Sequence, residues 1–153
     1  MVCLGNICRS PIAEGVMKAK VSGDQHDVGV DSAGTSSYHT GESPDPRAIQ
    51  TARSNGVDIE TQKARRIRHD DFEEFDVILA MDRSVFDDIR SMTDDPAHID
   101  KIHLFLEYSG VHDPQEVPDP YFGGDQGFMH VYSMIDEACD RILDRWQMMG
   151  ITN

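Results

Sequence analysis

Residues 2–11 read VCLGNICRSP, and the fold of the chain turns on how this stretch is taken. With a strand ending near Cys3, the segment becomes a strand-to-helix loop. Gly5 opens backbone angles closed to other residues, and Asn6 tolerates the left-handed region better than most. A tight arc of this kind turns successive backbone N–H groups into one concavity suited to an anion. Ser10-Pro11 reads as an N-cap followed by proline in the first helical turn. That helix adds unsatisfied N–H groups and a positive dipole end. Arg9 can close the ring with two parallel hydrogen bonds to phosphate oxygens. Cys3 faces the same positive field, which favours a thiolate over a thiol. A thiolate beneath a cradled phosphoryl group is a nucleophile in place. A cysteine and an arginine at this spacing carry little by themselves, because a buried cysteine usually serves as a small hydrophobe. The Gly5-Asn6 pair between them and Ser10-Pro11 after them each meet a separate requirement of the anion site.

Outward from that stretch, Ile12, Val16 and Ala19 or Lys20 follow at helical spacing, and Gly23 ends the helix. DVGVDSAGTS, residues 27–36, offers a short strand from Val28 to Val30 running into a glycine-containing loop. SPDPRAIQTARSNG, residues 43–56, starts a second helix near Asp45-Pro46 and stops it at Asn55-Gly56. HDDFEE, residues 69–74, reads as a solvated helix start. FDVILAM, residues 75–81, suits a strand buried on both faces, and DRSVFDDIRSM follows it as a helix. KIHLFLEY, residues 101–108, reads as another strand, and a proline-rich loop, HDPQEVPDPYFGG, comes next. Between Gly127 and Met149 the residues Phe128, Val131, Ile135, Ala138, Ile142 and Trp146 recur at three and four, which makes one long amphipathic helix. Strands alternating with helices predict an α/β layer sandwich with a mostly parallel sheet. Ligands of such sheets bind at the carboxyl ends of the strands. The 153 residues show no repeat or low-complexity tract, so one domain over residues 1–153 is expected.

The chain carries 28 acidic against 14 basic residues, a formal charge of -14. That field repels nucleic acid and anionic membranes at long range, so neither is expected as a partner. It also favours substrates with basic flanks over acidic ones. An anionic ligand therefore requires a local positive site. No apolar run approaches the roughly 18–20 residues of a membrane span, and no signal peptide is visible. Three cysteines do not make a disulfide framework, which points to a reducing, cytoplasmic setting. The seven histidines show no metal-ligand spacing, so neither metal nor cofactor is expected.

VCLGNICRSP resembles the active-site signature of the low-molecular-weight protein tyrosine phosphatases. The similarity continues in family order through DSAGTS (31–36), PDPRA (44–48), FDVILAMD (75–82) and VPDPY (117–121). The resemblance implies a flavodoxin-like three-layer sandwich with a four-stranded sheet. It also implies metal-free hydrolysis of protein phosphotyrosine, or of small aryl phosphates, through a phosphocysteine intermediate. By the same match Cys3 is the nucleophile, and the backbone of Leu4, Gly5, Asn6, Ile7 and Cys8 up to Arg9 binds phosphate. Arg9 clamps the equatorial oxygens and Ser10 assists the thiolate by hydrogen bonding. The resemblance assigns the general acid to Asp119, which would protonate the leaving phenol and then activate water. Pro118 and Pro120 restrict the loop around it, although an aspartate between prolines is otherwise most often a turn residue. Tyr38 and Tyr121 fall where the family places aromatic walls around a flat ring. Cys8 resembles a neighbour cysteine that pairs reversibly with the nucleophile under oxidation, with core packing as the alternative. Cys139, on the long helix, reads as core.

Three departures from the family pattern stand out. Family members carry a hydrophobic strand of several residues before the cysteine, whereas here only Met1 and Val2 precede it. By resemblance that strand lies mid-sheet, and losing it would exceed a domain's margin of roughly 5–15 kcal/mol. A truncated first strand, with a natural start upstream of Met1, is the resulting expectation. A family histidine that orders the phosphate loop through Asn6 and Ser32 has no counterpart, and Gln62 lies near its place, still able to donate and accept. Paired tyrosines of some members are here Tyr121-Phe122, so regulation at two adjacent phosphorylation sites is not expected. Among relatives on the scaffold, arsenate reductases need further cysteines, and none lies between Cys8 and Cys139. Protein-arginine phosphatases tend to carry threonine where Ile7 stands, so Ile7 favours phosphotyrosine. A non-catalytic phosphotyrosine binder would need neither nucleophile nor acid. Oligomeric state is not legible.

Overall fold

Four short apolar segments pair into one all-parallel sheet in the order β2-β1-β3-β4. They are β1 (Val2–Cys3), β2 (Ala33–Gly34), β3 (Ile78–Ala80) and β4 (Ile102–Leu104). The structure is a computed structural model that describes residues 1–23 and 27–152. Although β1 is only two residues long, it is bonded on both sides. Val2 pairs with Ala33 and with Ala80, and Cys3 pairs with Gly34. The Ala33 N–H donates to the Met1 carbonyl at 3.0 Å and the Met81 N–H to the Val2 carbonyl at 2.9 Å. The order is that of a flavodoxin-like sheet, whose switch point lies between β1 and β3. The loops leaving those two strands therefore open on the crevice where such sheets bind ligands.

The two faces of the sheet are covered separately. On one face lie α1 (Arg9–Gly23), α2 (Pro46–Ser54) and α7 (Asp125–Met148), with Ile12, Val16, Met17, Phe128, Ile135 and Ile142 among the buried residues. On the other lie α3 (Asp71–Glu74) and α4 (Arg83–Arg90), which bury Phe72, Val85 and Ile89 against Ile78 and Ile102. Helices on both faces of a parallel sheet make a three-layer sandwich, as expected. Two short helices, α5 (Pro96–Ile99) and α6 (Phe105–Tyr108), flank β4. No described helix is long and apolar enough to cross a membrane.

The second helix forms where the sequence places it. Asp45 accepts the Arg47 N–H at 2.8 Å, with Pro46 in the first turn. Five expectations are corrected. Residues 28–30 are irregular, and the strand lies further on at Ala33–Gly34. Pairing beside β1 needs a residue without a side chain, because a Cβ on Gly34 would lie 2.7 Å from the Leu4 carbonyl oxygen. KIHLFLEY is a strand only to Leu104 and then a helical turn, in which Phe105 and Leu106 are buried. A continuous apolar run does not separate those two states by periodicity. HDDFEE does start a helix, but it is not solvated throughout, because Asp71 and Phe72 are both buried. Asp71 accepts both terminal nitrogens of Arg65 at 3.0 Å and the Arg68 N–H at 2.7 Å. The long helix starts at Asp125 rather than Gly127. Finally, α1 begins at Arg9, so Ser10 lies inside the helix and its hydroxyl serves the site instead of the cap.

Candidate active site

The loop from Leu4 to Cys8 leaves the centre of the sheet at the end of β1 and delivers Arg9 to the first turn of α1. Asn6 makes the arc possible. Among the described residues it is the non-glycine residue with positive φ, 57°, where an asparagine is tolerated better than most side chains. Its own side chain holds that conformation. Asn6 Nδ2 donates to Ser10 Oγ at 2.8 Å and Ser32 Oγ at 3.0 Å, and Asn6 Oδ1 accepts the Arg65 N–H at 3.0 Å. Ser32 Oγ in turn donates to Glu14 Oε1 at 2.7 Å, and Glu14 Oε2 takes Lys18 Nζ at 2.8 Å. Gln62 stays outside this network. Its Nε2 donates to the Pro11 carbonyl at 3.0 Å, and its buried Oε1 has no partner among the described residues. Asn6 and Ser32 are thus held by Glu14 and by the backbone at Arg65, without Gln62.

Cys3 lies at the floor of the arc. Its Sγ accepts the Asn6 N–H at 3.2 Å and lies 3.0 Å from Ser10 Oγ. Among the described residues, no protein acceptor takes the amide hydrogens of Leu4, Gly5, Ile7 or Cys8. Those donors remain for a ligand. Arg9 is buried, and its Nη1 is committed to the protein, donating to Asp82 Oδ2 at 2.6 Å and the Val117 carbonyl at 3.0 Å. The Nε–Nη2 edge is left as the one that can fork an oxyanion. Burial works against the charge of Arg9, but Cys3, Asp82 and Asp119 outweigh it and hold the guanidinium firmly ionised.

Asp119 approaches from the loop after α6. Its Oδ2 lies 3.6 Å from Arg9 Nη2, and its Oδ1 accepts the Tyr121 N–H at 3.0 Å. The Val117 N–H donates to the Met81 carbonyl at 2.9 Å, which ties this loop to the end of β3. The resulting cleft has a volume of about 410 Å³ and contains Cys3, Arg9 and Asp119. Leu4, Tyr38, Tyr121 and Phe122 stand at its rim, all exposed, and His39 and Ser36 complete the wall.

The structure thus brings Cys3, Leu4, Gly5, Ile7, Cys8, Arg9, Tyr38, Asp119 and Tyr121 to one cleft, with Asn6 and Ser10 directly behind it. Cys8 is buried at the back, and burial together with Asp45 and Cys3 pushes its thiol up. Cys139 is buried in the core, where burial raises it to about 12. Sequence reasoning missed Asp82, Glu14 and Arg47. Asp82 had a signal, since it ends FDVILAMD at the strand's carboxyl end, where ligands of parallel sheets bind. Glu14 had a weaker one, as a carboxylate among Ile12, Ala13, Val16 and Met17 on the buried face of α1. Among the described residues, no group of three His, Cys, Asp or Glu side chains could hold a metal ion.

A thiol under a ring of unpartnered amides, at the switch point of a parallel sheet and beside a buried arginine, makes a cleft with the donors an oxyanion needs. Residues 1–149 match the low molecular weight phosphotyrosine protein phosphatase family, and the chain belongs to it. The protein of that name from Sus scrofa is 39% identical over 150 residues, covering 94% of this chain and 92% of its own. The crystal structure of a protein tyrosine phosphatase from Entamoeba histolytica, with Hepes in the active site, superposes with a TM-score of 0.90 at 34% identity. That likeness covers 97% of this chain and 96% of the other. The crystal structure of a Drosophila arginine phosphatase is similar too, with a TM-score of 0.88 at 35% identity and 95% of each chain covered.

Proposed function

We propose that this protein hydrolyses phosphotyrosine in proteins through a phosphocysteine intermediate. The observation that carries the reading is the convergence of three groups. Cys3 Sγ sits beneath the unpartnered amides, Arg9 is clamped on one edge only, and the Asp119 carboxyl lies 3.6 Å from the other edge of Arg9. The amides of Leu4, Gly5, Ile7 and Cys8 and the free edge of Arg9 hold the three non-bridging oxygens. The Cys3 thiolate attacks phosphorus, an S–P bond forms and the P–O bond to the phenol breaks. Asp119 delivers its proton to the departing oxygen. A water molecule then attacks the phosphocysteine, and Asp119 takes that water's proton. The S–P bond breaks and returns the thiolate with inorganic phosphate. Ser10 and the Asn6 N–H stabilise the sulfur's negative charge in both half-reactions. General acid–base assistance of this kind contributes about 10²–10⁴-fold.

Tyr38, Tyr121 and Phe122 at the rim suit a flat aromatic ring, and Ile7 lines the cleft beside them. Phosphoarginine is the competing substrate, because a Drosophila arginine phosphatase shares the fold. Phosphate release is measured on matched phosphotyrosine and phosphoarginine peptides, beside Cys3→Ser. The expected result is release from phosphotyrosine that vanishes in the variant. Preferential release from phosphoarginine would replace the substrate assignment. Activity surviving Cys3→Ser would sink the phosphocysteine mechanism.

A further inference from the structure

A continuous chain of contacts runs from the phosphate loop to the Asp119 loop, and Arg47 is its middle link. The Ile7 carbonyl accepts the Asp45 N–H at 2.8 Å. The Asp45 carboxylate holds Arg47 in a fork, Nε to Oδ1 at 3.1 Å and Nη2 to Oδ2 at 3.0 Å. Arg47 Nη2 also donates to the Tyr121 carbonyl at 2.9 Å, and Nη1 to the Gly123 carbonyl at 3.2 Å. The guanidinium lies over the Phe128 ring, 4.8 Å from its centroid, and 5.5 Å from that of Tyr121. Tyr121 closes the chain, since its N–H is the donor that fixes Asp119 Oδ1.

Taking the acid role of Asp119 proposed above, we infer that Arg47 is a positioning residue. Its planar fork spans Asp45 and the carbonyls of residues 121 and 123, and so sets the Asp119 carboxyl over the bond to be broken. Arg47 does not line the cleft or touch Cys3, so it acts through the loop and not on substrate. The requirement is for a fork. Lysine carries the same charge on a single nitrogen and cannot hold the Asp45 carboxylate and two carbonyls in one plane. Three independent kinds of contact meet on this one side chain: a bidentate carboxylate, two backbone carbonyls and two aromatic faces. An arginine that merely covered the surface would need none of them in register.

The test rests on the leaving group. With an acid in place, kcat/KM for forming the phosphocysteine depends little on how well the phenol leaves. With the acid misplaced, poor leaving groups suffer and good ones do not. Native protein, Arg47→Ala, Arg47→Lys and Asp119→Asn are assayed on phenyl phosphate and on 4-nitrophenyl phosphate. Thermal unfolding and the Kd for inorganic phosphate are measured on the same samples. For both Arg47 variants we expect kcat/KM on phenyl phosphate to fall by about tenfold or more, with a change of about threefold or less on 4-nitrophenyl phosphate. The phosphate Kd should stay near native. Equal losses on both substrates, no loss on either, or full rescue by lysine would overturn the inference. If Asp119→Asn itself shows no such selectivity, the acid assignment fails, and that outcome is read directly from its own pair of rates.

Discussion

Gly34→Ala tests whether the proposed phosphate loop is held in place by the strand beside it. Gly34 ends β2, donating its N–H to the Arg65 carbonyl at 2.8 Å and accepting the Ile67 N–H at 2.8 Å. A Cβ there would lie 2.7 Å from the Leu4 carbonyl oxygen and 3.1 Å from both Asn6 N and Gly5 C. All three are backbone atoms of the loop, with no flexible side chain to swing away. The tightest of these approaches is about 0.7 Å short of the 3.4 Å at which ordinary contact begins. The β2 side is bonded to β1 and to residues 65 and 67, so the loop is the part that moves. A misplacement near 1 Å costs about 10²-fold in rate, so kcat/KM should fall by about 10–100-fold. Overpacking of this kind costs about 1–3 kcal/mol. For a domain of this size that is a drop of about 2–12 °C in Tm.

The control is Gly15→Ala, whose Cβ would meet Ile59 Cγ2 at 2.4 Å and Val57 Cγ1 at 3.0 Å. That overlap is as severe, but it falls on side chains behind α1, away from the cleft. It should cost stability while kcat/KM stays within about twofold, since the reacting groups are not displaced. Steady-state kinetics, phosphate titration and thermal unfolding of both variants decide the matter. A folded Gly34→Ala protein with native kcat/KM and native phosphate affinity would refute the reasoning.

Two further outcomes follow from the titrating groups. Burial acts to raise the Asp71 carboxyl, but Arg65 and the Arg68 N–H outweigh it and hold its value below the usual range. A carboxylate depressed in the fold adds stability above its unfolded value of about 3.9, and that stability is lost as pH falls through the folded value. In urea unfolding, Asp71→Asn should therefore lose less stability than native protein between pH 7 and pH 3, and parallel losses would count against the ion pair. Iodoacetamide at pH 8 should modify Cys3 in the folded protein and spare Cys8 and Cys139. Burial pushes the Cys8 thiol up and holds Cys139 at about 12, so little thiolate is present at either. Mass spectrometry of peptides reads the sites, and modification of Cys139 at the rate of Cys3 would contradict this.

Legibility in the sequence followed the range of the interaction. The anion loop could be read because its requirements are local: a left-handed residue at Asn6, a cysteine before it, and an arginine opening the helix. The helices α2 and α7 were readable for the same reason, through a cap at Asp45 and a long period of three and four. What failed was decided at a distance. The strand beside β1 lies at Ala33–Gly34 because only a glycine lets it approach Leu4, not because Val28 and Val30 favour strand. Ser10 looks like a cap, but the sulfur of Cys3 and the amide of Asn6 claim its hydroxyl. Asp119 stood out from the other carboxylates only by resemblance, since its partner Arg9 is 110 residues away in the chain and within 3.6 Å in the fold. Arg47 sat within a quoted motif without a role, because its partners at residues 121 and 123 lie on a loop the sequence does not visibly bring to it.

The charge of the molecule makes the design of the cleft more pointed. The chain carries -14, and at the cleft the single buried guanidinium of Arg9 faces two carboxylates, Asp82 at 2.6 Å and Asp119 at 3.6 Å. Side-chain charge there does not sum to a positive value, so it cannot be what draws an oxyanion in. On the proposed reading the attraction comes from oriented backbone: the unpartnered amides of Leu4, Gly5, Ile7 and Cys8 and the first turn of α1. Such dipoles act over a few ångströms, so they reward only an anion already seated in the arc, and the surface field repels acidic ligands further out. Asp82 then has a purpose other than neutralising Arg9. By occupying Nη1 it fixes the plane of the guanidinium and leaves one edge, in one orientation, to meet two oxygens. On the proposed function, selectivity is then set by where the donors point and by how rigidly the loop is held, and the network from Cys3 through Ser10, Asn6 and Ser32 to Glu14 ties the loop to the fold.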